Sequence, residues 1–182
     1  MANEPTPHSD PAGAPHPEPN WGDFAYDAAY SGAIGGSIVA LFFLAVDGIM
    51  GRPLFTPSLM GSVLFAGTEA AEVTEVSLRM VGLYSIVHFV SFGLLGSLVA
   101  FAMREVELHA KNPFSVILGL FVFFEWAFFI TTLVAMPGVM SVLGIAPVAL
   151  ANLLAAGGIA LFLTTQHHPE TWRQVKDVLH LA

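Results

Sequence analysis

The chain has 182 residues, of which 55% are hydrophobic and only 11% are charged, and its mean hydropathy is +0.70. Soluble domains carry about a quarter charged residues, so this composition indicates an integral membrane protein. The lack of cysteine excludes disulfides and thiolate sites, and the net charge of -8 argues against nucleic acid as a partner, because phosphate binding needs a basic surface.

The first 29 residues are rich in proline and contain no apolar core and no basic start. They are therefore not a cleavable signal peptide. Such a segment has too little apolar surface to fold alone. We expect residues 1–29 to form a disordered tail, or a strap that becomes ordered along a partner subunit.

Four segments are long and apolar enough to cross a bilayer, which needs ~20 mostly apolar residues. They cover residues 30–50, 80–103, 113–136 and 142–165. The sequence therefore predicts an all-α membrane protein, a four-helix transmembrane bundle over residues 30–166. After Pro169, the closing residues predict a short amphipathic helix within 167–182.

The link between the first two spans begins with a helix signal, because Thr56 precedes Pro57. Its apolar run is too short to cross the membrane, so we expect an interfacial or re-entrant helix there. Next, Glu69, Glu72 and Glu75 lie three residues apart. This spacing predicts one acidic face of a helix that leads into the second span.

Four spans place both termini on the same side of the membrane. Basic residues are more numerous on the side of the termini than on the opposite side, with Arg104, Lys111, Arg173 and Lys176 against Arg52 and Arg79. This bias favours cytoplasmic termini.

Small residues at helical spacing predict where the helices approach each other closely. The set comprises Gly32 and Gly36 in the first span, Gly93 and Ser97 in the second, and Ala156 and Ala160, in line with Asn152, in the fourth. The third span differs, because its phenylalanines and Trp126 present bulky surface nearly all round. We expect this span to face lipid or a partner.

Three polar side chains fall near the middle of their spans: His88, Glu125 and Asn152. Ionisable residues inside a membrane are costly and mark functional positions. Glu125 and Asn152 lie at mid-span, and His88 lies ~5 Å to the outer side at 1.5 Å per residue. We expect the three to converge in one polar layer, which either fastens the helices together or moves a proton.

Asp47 lies nearer the outer end of its span, ~10 Å from the middle. We expect it to form an outer-side polar pair with Arg52 or Arg79.

No cofactor is predicted. A bis-histidine haem needs two intramembrane histidines, and only His88 qualifies. No Glu-x-x-His pair suits a di-iron bundle. A single haem, quinone or metal near His88 stays open, and the identity of any metal is unknown.

With the spans placed, the segments "LFFLAVDGIMGRPLFTPSLMGSVLF", "YSIVHFVSFGLLG", "LFVFFEWAFF" and "ANLLAAGGIAL", followed by "HHP", are similar to those of a group of small bacterial four-helix membrane proteins. The resemblance covers residues 32–169. It implies the same four-span layout, and it draws attention to Asp47, Arg52, His88, Glu125 and Asn152. It implies no activity. We expect the chain to lie in a bacterial inner membrane.

The sequence shows no catalytic set and no soluble domain, so the expected role is a non-catalytic accessory subunit. Its partners would be the lipid bilayer and other subunits of a larger bacterial energy-converting membrane complex. One alternative is a small protein that conducts protons or cations past Glu125 and His88. Another is a redox subunit that holds one haem, quinone or metal near His88.

Overall fold

The computed structural model describes residues 21–106 and 113–167, with side chains for residues 21–101 and 118–166. This part of the chain is helical and contains no strand. Its elements are α1 (Trp21–Ile49), α2 (Phe55–Ala66), a 3-10 turn (Ala70–Glu72), α3 (Leu78–Val106), α4 (Pro113–Ala135), α5 (Val139–Leu143) and α6 (Ile145–His167).

Four of these helices, α1, α3, α4 and α6, are long and apolar enough to cross a membrane. The prediction of four membrane-length helices is therefore confirmed. Helix α1 begins at Trp21, well before the apolar segment that predicted it, so residues 21–29 are helical rather than part of a tail. The rest of the predicted tail, the predicted C-terminal helix after residue 167, and the basic residues Arg104, Lys111, Arg173 and Lys176 lie outside the residues with described side chains.

The long helices form a row in the order α3, α1, α6 and α4. Helix α1 packs against both α3 and α6, and α4 packs against α6. Although α3 and α4 are consecutive in the sequence, they stand at the two ends of the row and their backbones scarcely touch. Aromatic side chains bridge them, with the rings of Phe92 and Phe124 6.0 Å apart.

Helices α1 and α3 approach each other closely, and glycine makes this approach possible. A Cβ atom at Gly32 would lie 2.5 Å from the carbonyl oxygen of Phe92, and one at Gly36 would lie 3.2 Å from the Cβ atom of Phe92. A Cβ atom at Gly96 would overlap the backbone of Ala28 and Gly32. Because backbone atoms cannot move aside, only glycine fits at Gly32 and Gly96.

On the α3 side of this crossing, one of the two predicted small residues is in contact, because the Cα atom of Gly93 would lie 3.0 Å from a Cβ atom at Gly32. A Cβ atom at Gly93 would meet open space, and the Ser97 hydroxyl donates to the Gly93 carbonyl oxygen of its own helix, 3.0 Å away. Gly96 faces α1 at the place expected for Ser97. Successive residues of a helix are rotated by about 100°, so the Ser97 side chain is turned away from this contact.

Helix α6 is the most buried of the four long helices. Asn152, Ala156 and Ala160 all lie on its buried face, together with Ala155 and Ile159. These small residues let α1 and α4 pack on either side of α6.

The short apolar helix predicted between the first two spans is α2. Its first half is buried nearly all round, including Phe55, Leu59 and Met60, so α2 is enclosed by protein at one end of the bundle. The backbone of Met80 in α3 leaves no room for a Cβ atom at Gly61. With α5, α2 forms an apolar cluster that includes Val139.

The predicted acidic helix face is wrong. Glu72 ends the 3-10 turn, and α3 begins only at Leu78, so Glu75 lies in a non-helical link. The chain is extended at Val73, and the buried Ser58 hydroxyl accepts the backbone N–H of Ser77 at 2.8 Å. This hydrogen bond ties the link to α2 and delays the start of α3.

Candidate functional site

Glu125 and Asn152 form a polar pair between α4 and α6. The Asn152 side-chain N–H donates to Glu125 Oε1 at 3.1 Å. Asn152 is buried and Glu125 is half-buried. The two residues lie in the middle parts of helices that pack directly on each other, so the structure brings these two members of the predicted layer together.

His88 has a different partner. Its Nε2 lies 2.9 Å from the carbonyl oxygen of Gly36 in α1. A carbonyl oxygen only accepts hydrogen bonds, so Nε2 carries the proton and Nδ1 of a neutral ring is an acceptor. Nδ1 has no hydrogen-bond partner among the described residues. His88 therefore does not join the Glu125–Asn152 pair directly.

A cavity of about 400 Å³ connects the two sites. It lies where α3 and α4 face each other without backbone packing, and we call it the α3–α4 cavity. Its walls are mostly apolar, with five polar side chains among them: Tyr84, His88, Ser91, Thr131 and Asn152. The predicted layer thus becomes a polar pair on one side of the cavity and a histidine on the other.

A second cavity of about 190 Å³ adjoins the first and extends to the junction of α1 and α2. Tyr84 and His88 line both cavities. The two residues are one helical turn apart, and their ring centroids are separated by 5.9 Å. They therefore stand at the point where the two cavities meet.

Asp47 takes partners other than the expected arginines. It is 3% exposed, and its two carboxylate oxygens accept hydrogen bonds from Thr56, the backbone N–H at 2.7 Å and the hydroxyl at 2.8 Å. No ion pair joins Asp47 to Arg52 or Arg79 in the part of the chain that the structure describes. Arg52 instead lies over the ring of Phe55, 3.8 Å from its centroid.

The role of Asp47 follows from the chemistry of helix ends. The first N–H groups of α2 have no intrahelical partner, and an acidic group at a helix N-terminus also interacts favourably with the helix dipole. Asp47 satisfies one such N–H from nine residues away in sequence. The Thr56–Pro57 sequence predicted the start of α2. Asp47, an acid within the preceding span, was the sequence feature that could have indicated the capping group.

Tyr84 was missed by the sequence reasoning. It precedes His88 by four residues, a spacing that puts both side chains on one face of α3. This spacing was the sequence feature by which Tyr84 could have been predicted to lie beside His88.

Metal-binding groups are sparse here. Among the described residues, no three His, Asp or Glu side chains come together in a way that could hold a metal ion.

No protein-family model, curated protein or solved structure matches the chain. The site itself offers two kinds of chemistry. The amide–carboxyl pair of Asn152 and Glu125 can fasten helices or accept a further hydrogen bond. His88 and Tyr84 can bind a polar group inside an otherwise apolar cavity.

Proposed function

We propose that this chain is a non-catalytic subunit that packs, through α4, against another membrane protein of a larger bacterial energy-converting assembly. The observation that carries the proposal is the half-buried Glu125, which lies beside the apolar outer face of α4 and has Asn152 as its hydrogen-bond partner.

Helix α4 is the least enclosed of the four long helices. Only 11% of the residues in its most apolar stretch are buried, against 39% in that of α6. Trp126, Phe129 and Leu133 are exposed and lie at i, i+3 and i+7, so they form one stripe along the helix. Lipid can cover such a stripe, and so can another transmembrane helix.

Glu125 favours a protein partner over lipid. A charged side chain at the bilayer centre costs about 2.5–3.5 kcal/mol on insertion scales, and lipid tails cannot form hydrogen bonds to it. Asn152 supplies one hydrogen bond, to Oε1. A transmembrane helix with a hydrogen-bond donor at the same depth would supply a second hydrogen bond to Glu125. The proposed partner is therefore a membrane protein with such a helix.

The assignment to an energy-converting assembly depends on His88 and Glu125, since ionisable residues inside spans mark proton and redox pathways. The proposed location is the bacterial inner membrane with both termini in the cytoplasm. The resemblance to small bacterial membrane proteins and the bias in basic residues support this location.

Native purification tests the proposal. The tagged full-length chain, purified from its own membrane in mild detergent, should carry one membrane protein in fixed stoichiometry. Trp126→Ala should remove that protein, because Trp126 is 61% exposed on the α4 stripe. The control Leu98→Ala removes a similarly exposed residue of α3 (54%) and should retain it. A wild-type chain that emerges as a lone monomer or homodimer would refute the proposal.

One observation favours a second candidate function, conduction of protons or cations past Glu125 and His88. Asn152 both contacts Glu125 and lines the cavity that His88 lines. Under this alternative, the chain in liposomes should support an ion flux that Glu125→Gln abolishes. The absence of flux from a folded wild-type chain would dismiss it.

A further inference from the structure

The geometry points to a binding site in the α3–α4 cavity for a lipophilic alcohol or phenol, an apolar molecule that carries a hydroxyl group. This inference does not depend on the proposed function.

The size and walls of the cavity suit a small apolar ligand. Small-molecule pockets are concave, are mostly apolar, contain a few placed polar groups and measure roughly 300–1,000 Å³. The α3–α4 cavity has a volume of about 400 Å³. Phe92, Leu95 and Phe124 line it toward one end of the bundle, and Met60, Leu64 and Met136 line it toward the other.

Three polar side chains that line the cavity have hydrogen-bonding atoms without partners among the described residues. These atoms are the hydroxyl of Tyr84, Nδ1 of His88 and Oδ1 of Asn152. His88 and Asn152 are held in place by their other nitrogen atoms, which donate to Gly36 and Glu125 respectively. Polar groups inside a protein are normally hydrogen-bonded, so these three are suited to a ligand.

The hydrogen-bonding character of these groups identifies the ligand class. His88 Nδ1 and Asn152 Oδ1 accept hydrogen bonds, whereas the Tyr84 hydroxyl can donate one. A ketone or an ether only accepts, so it would satisfy Tyr84 alone. A hydroxyl group both donates and accepts, and it can therefore bind His88 and Tyr84 at once.

The position of the cavity explains why the ligand should be lipophilic. The cavity lies between α3 and α4, the two end helices of the row, whose backbones scarcely touch. On α3, the cavity-lining Leu94 is also exposed on the outer surface. A molecule dissolved in the bilayer can thus reach the cavity from the side. An aromatic phenol and an aliphatic alcohol share the required chemistry.

Binding of decylphenol tests the inference, with the full chain in phosphatidylcholine nanodiscs and empty nanodiscs as background. Decylanisole, the methyl ether, has a similar apolar body without the donor and should bind about fivefold more weakly. Tyr84→Phe should weaken decylphenol binding by a similar factor. Tyr30→Phe makes the same chemical change outside the cavity and should leave binding unchanged.

Ala127→Leu provides a second, steric test, because Ala127 lines the cavity and a larger side chain would fill it. It should abolish saturable binding while the circular-dichroism spectrum stays helical. Dodecanol distinguishes the two ligand classes. If it binds as tightly as decylphenol, the site takes aliphatic alcohols, and if it binds more weakly, the site prefers a phenol. The inference is overturned if decylphenol shows no saturable binding, if decylanisole binds equally well, or if neither cavity variant changes the affinity.

Discussion

Replacing Asp47 with alanine should destabilise the junction between α1 and α2. Asp47 is nearly inaccessible, and each of its carboxylate oxygens accepts one hydrogen bond from Thr56. Alanine removes both acceptors. It leaves a backbone N–H and a hydroxyl buried without partners, because Thr56 is itself only 7% exposed.

The size of the effect follows from these two hydrogen bonds. A hydrogen bond to a charged group contributes about 1.5–3 kcal/mol, and Asp47→Ala removes two such hydrogen bonds at once. We therefore expect Asp47→Ala to lower the free energy of unfolding by about 3–5 kcal/mol. Asp47→Asn should cost about 1 kcal/mol, because asparagine can accept the Thr56 N–H and donate to the Thr56 hydroxyl.

Unfolding of the purified chain in mixed micelles, followed by far-ultraviolet circular dichroism as the denaturing detergent is raised, measures these differences. Hydrogen exchange at the N-terminal amides of α2 gives a local readout, which should be faster in Asp47→Ala. Glu72→Ala removes an exposed acid from the neighbouring link and should change neither measurement. Equal stability of Asp47→Ala and the wild type would refute the capping role of Asp47.

Further variants test the helix contacts. Gly96→Val should prevent stable packing of α1 on α3, because its Cβ atom would overlap backbone atoms of α1. Gly93→Ala should instead be tolerated or stabilise α3 by about 0.5–1 kcal/mol, because a Cβ atom at that position meets open space. Thermal unfolding of the two variants measures this difference. A double-mutant cycle of Glu125→Ala and Asn152→Ala should give a coupling of about 0.6 kcal/mol, up to about 1.7, and a coupling of zero would show that the bond adds nothing. Ser58→Ala should speed hydrogen exchange just before α3 and cost about 1–3 kcal/mol, and unchanged exchange there would contradict the Ser58 contact.

The four long helices could be predicted because length and apolar composition alone decide whether a segment can cross a bilayer. Their order in the row could not. Helix α4 is apolar over most of its surface and Glu125 is its one ionisable residue, so no continuous polar stripe marks which face should meet a neighbour. Its packing on α6 rather than α3 depends on the buried small residues of α6 and on the Glu125–Asn152 hydrogen bond.

The site, like the fold, could be predicted only in part from the sequence. Depth along the helices predicted Glu125 and Asn152 in one layer, and the structure has a hydrogen bond between them. The partner of His88 is a backbone carbonyl of α1, and no residue type in the sequence marks such an acceptor. Asp47 was paired with arginines on the basis of charge, but helix N-terminal N–H groups attract a carboxylate as well, and Thr56 lies closer to it in the fold.

Site-specific photo-crosslinking from α4 tests most directly whether this helix docks onto another membrane protein. A photoreactive phenylalanine analogue at position 129 should form one adduct with a distinct membrane protein in native membranes, and the same probe at position 98 on α3 should not. Glu125→Leu should reduce the adduct at position 129, because the proposed partner contacts the carboxyl group. Adducts with lipid alone, or with a second copy of this chain, would contradict the account.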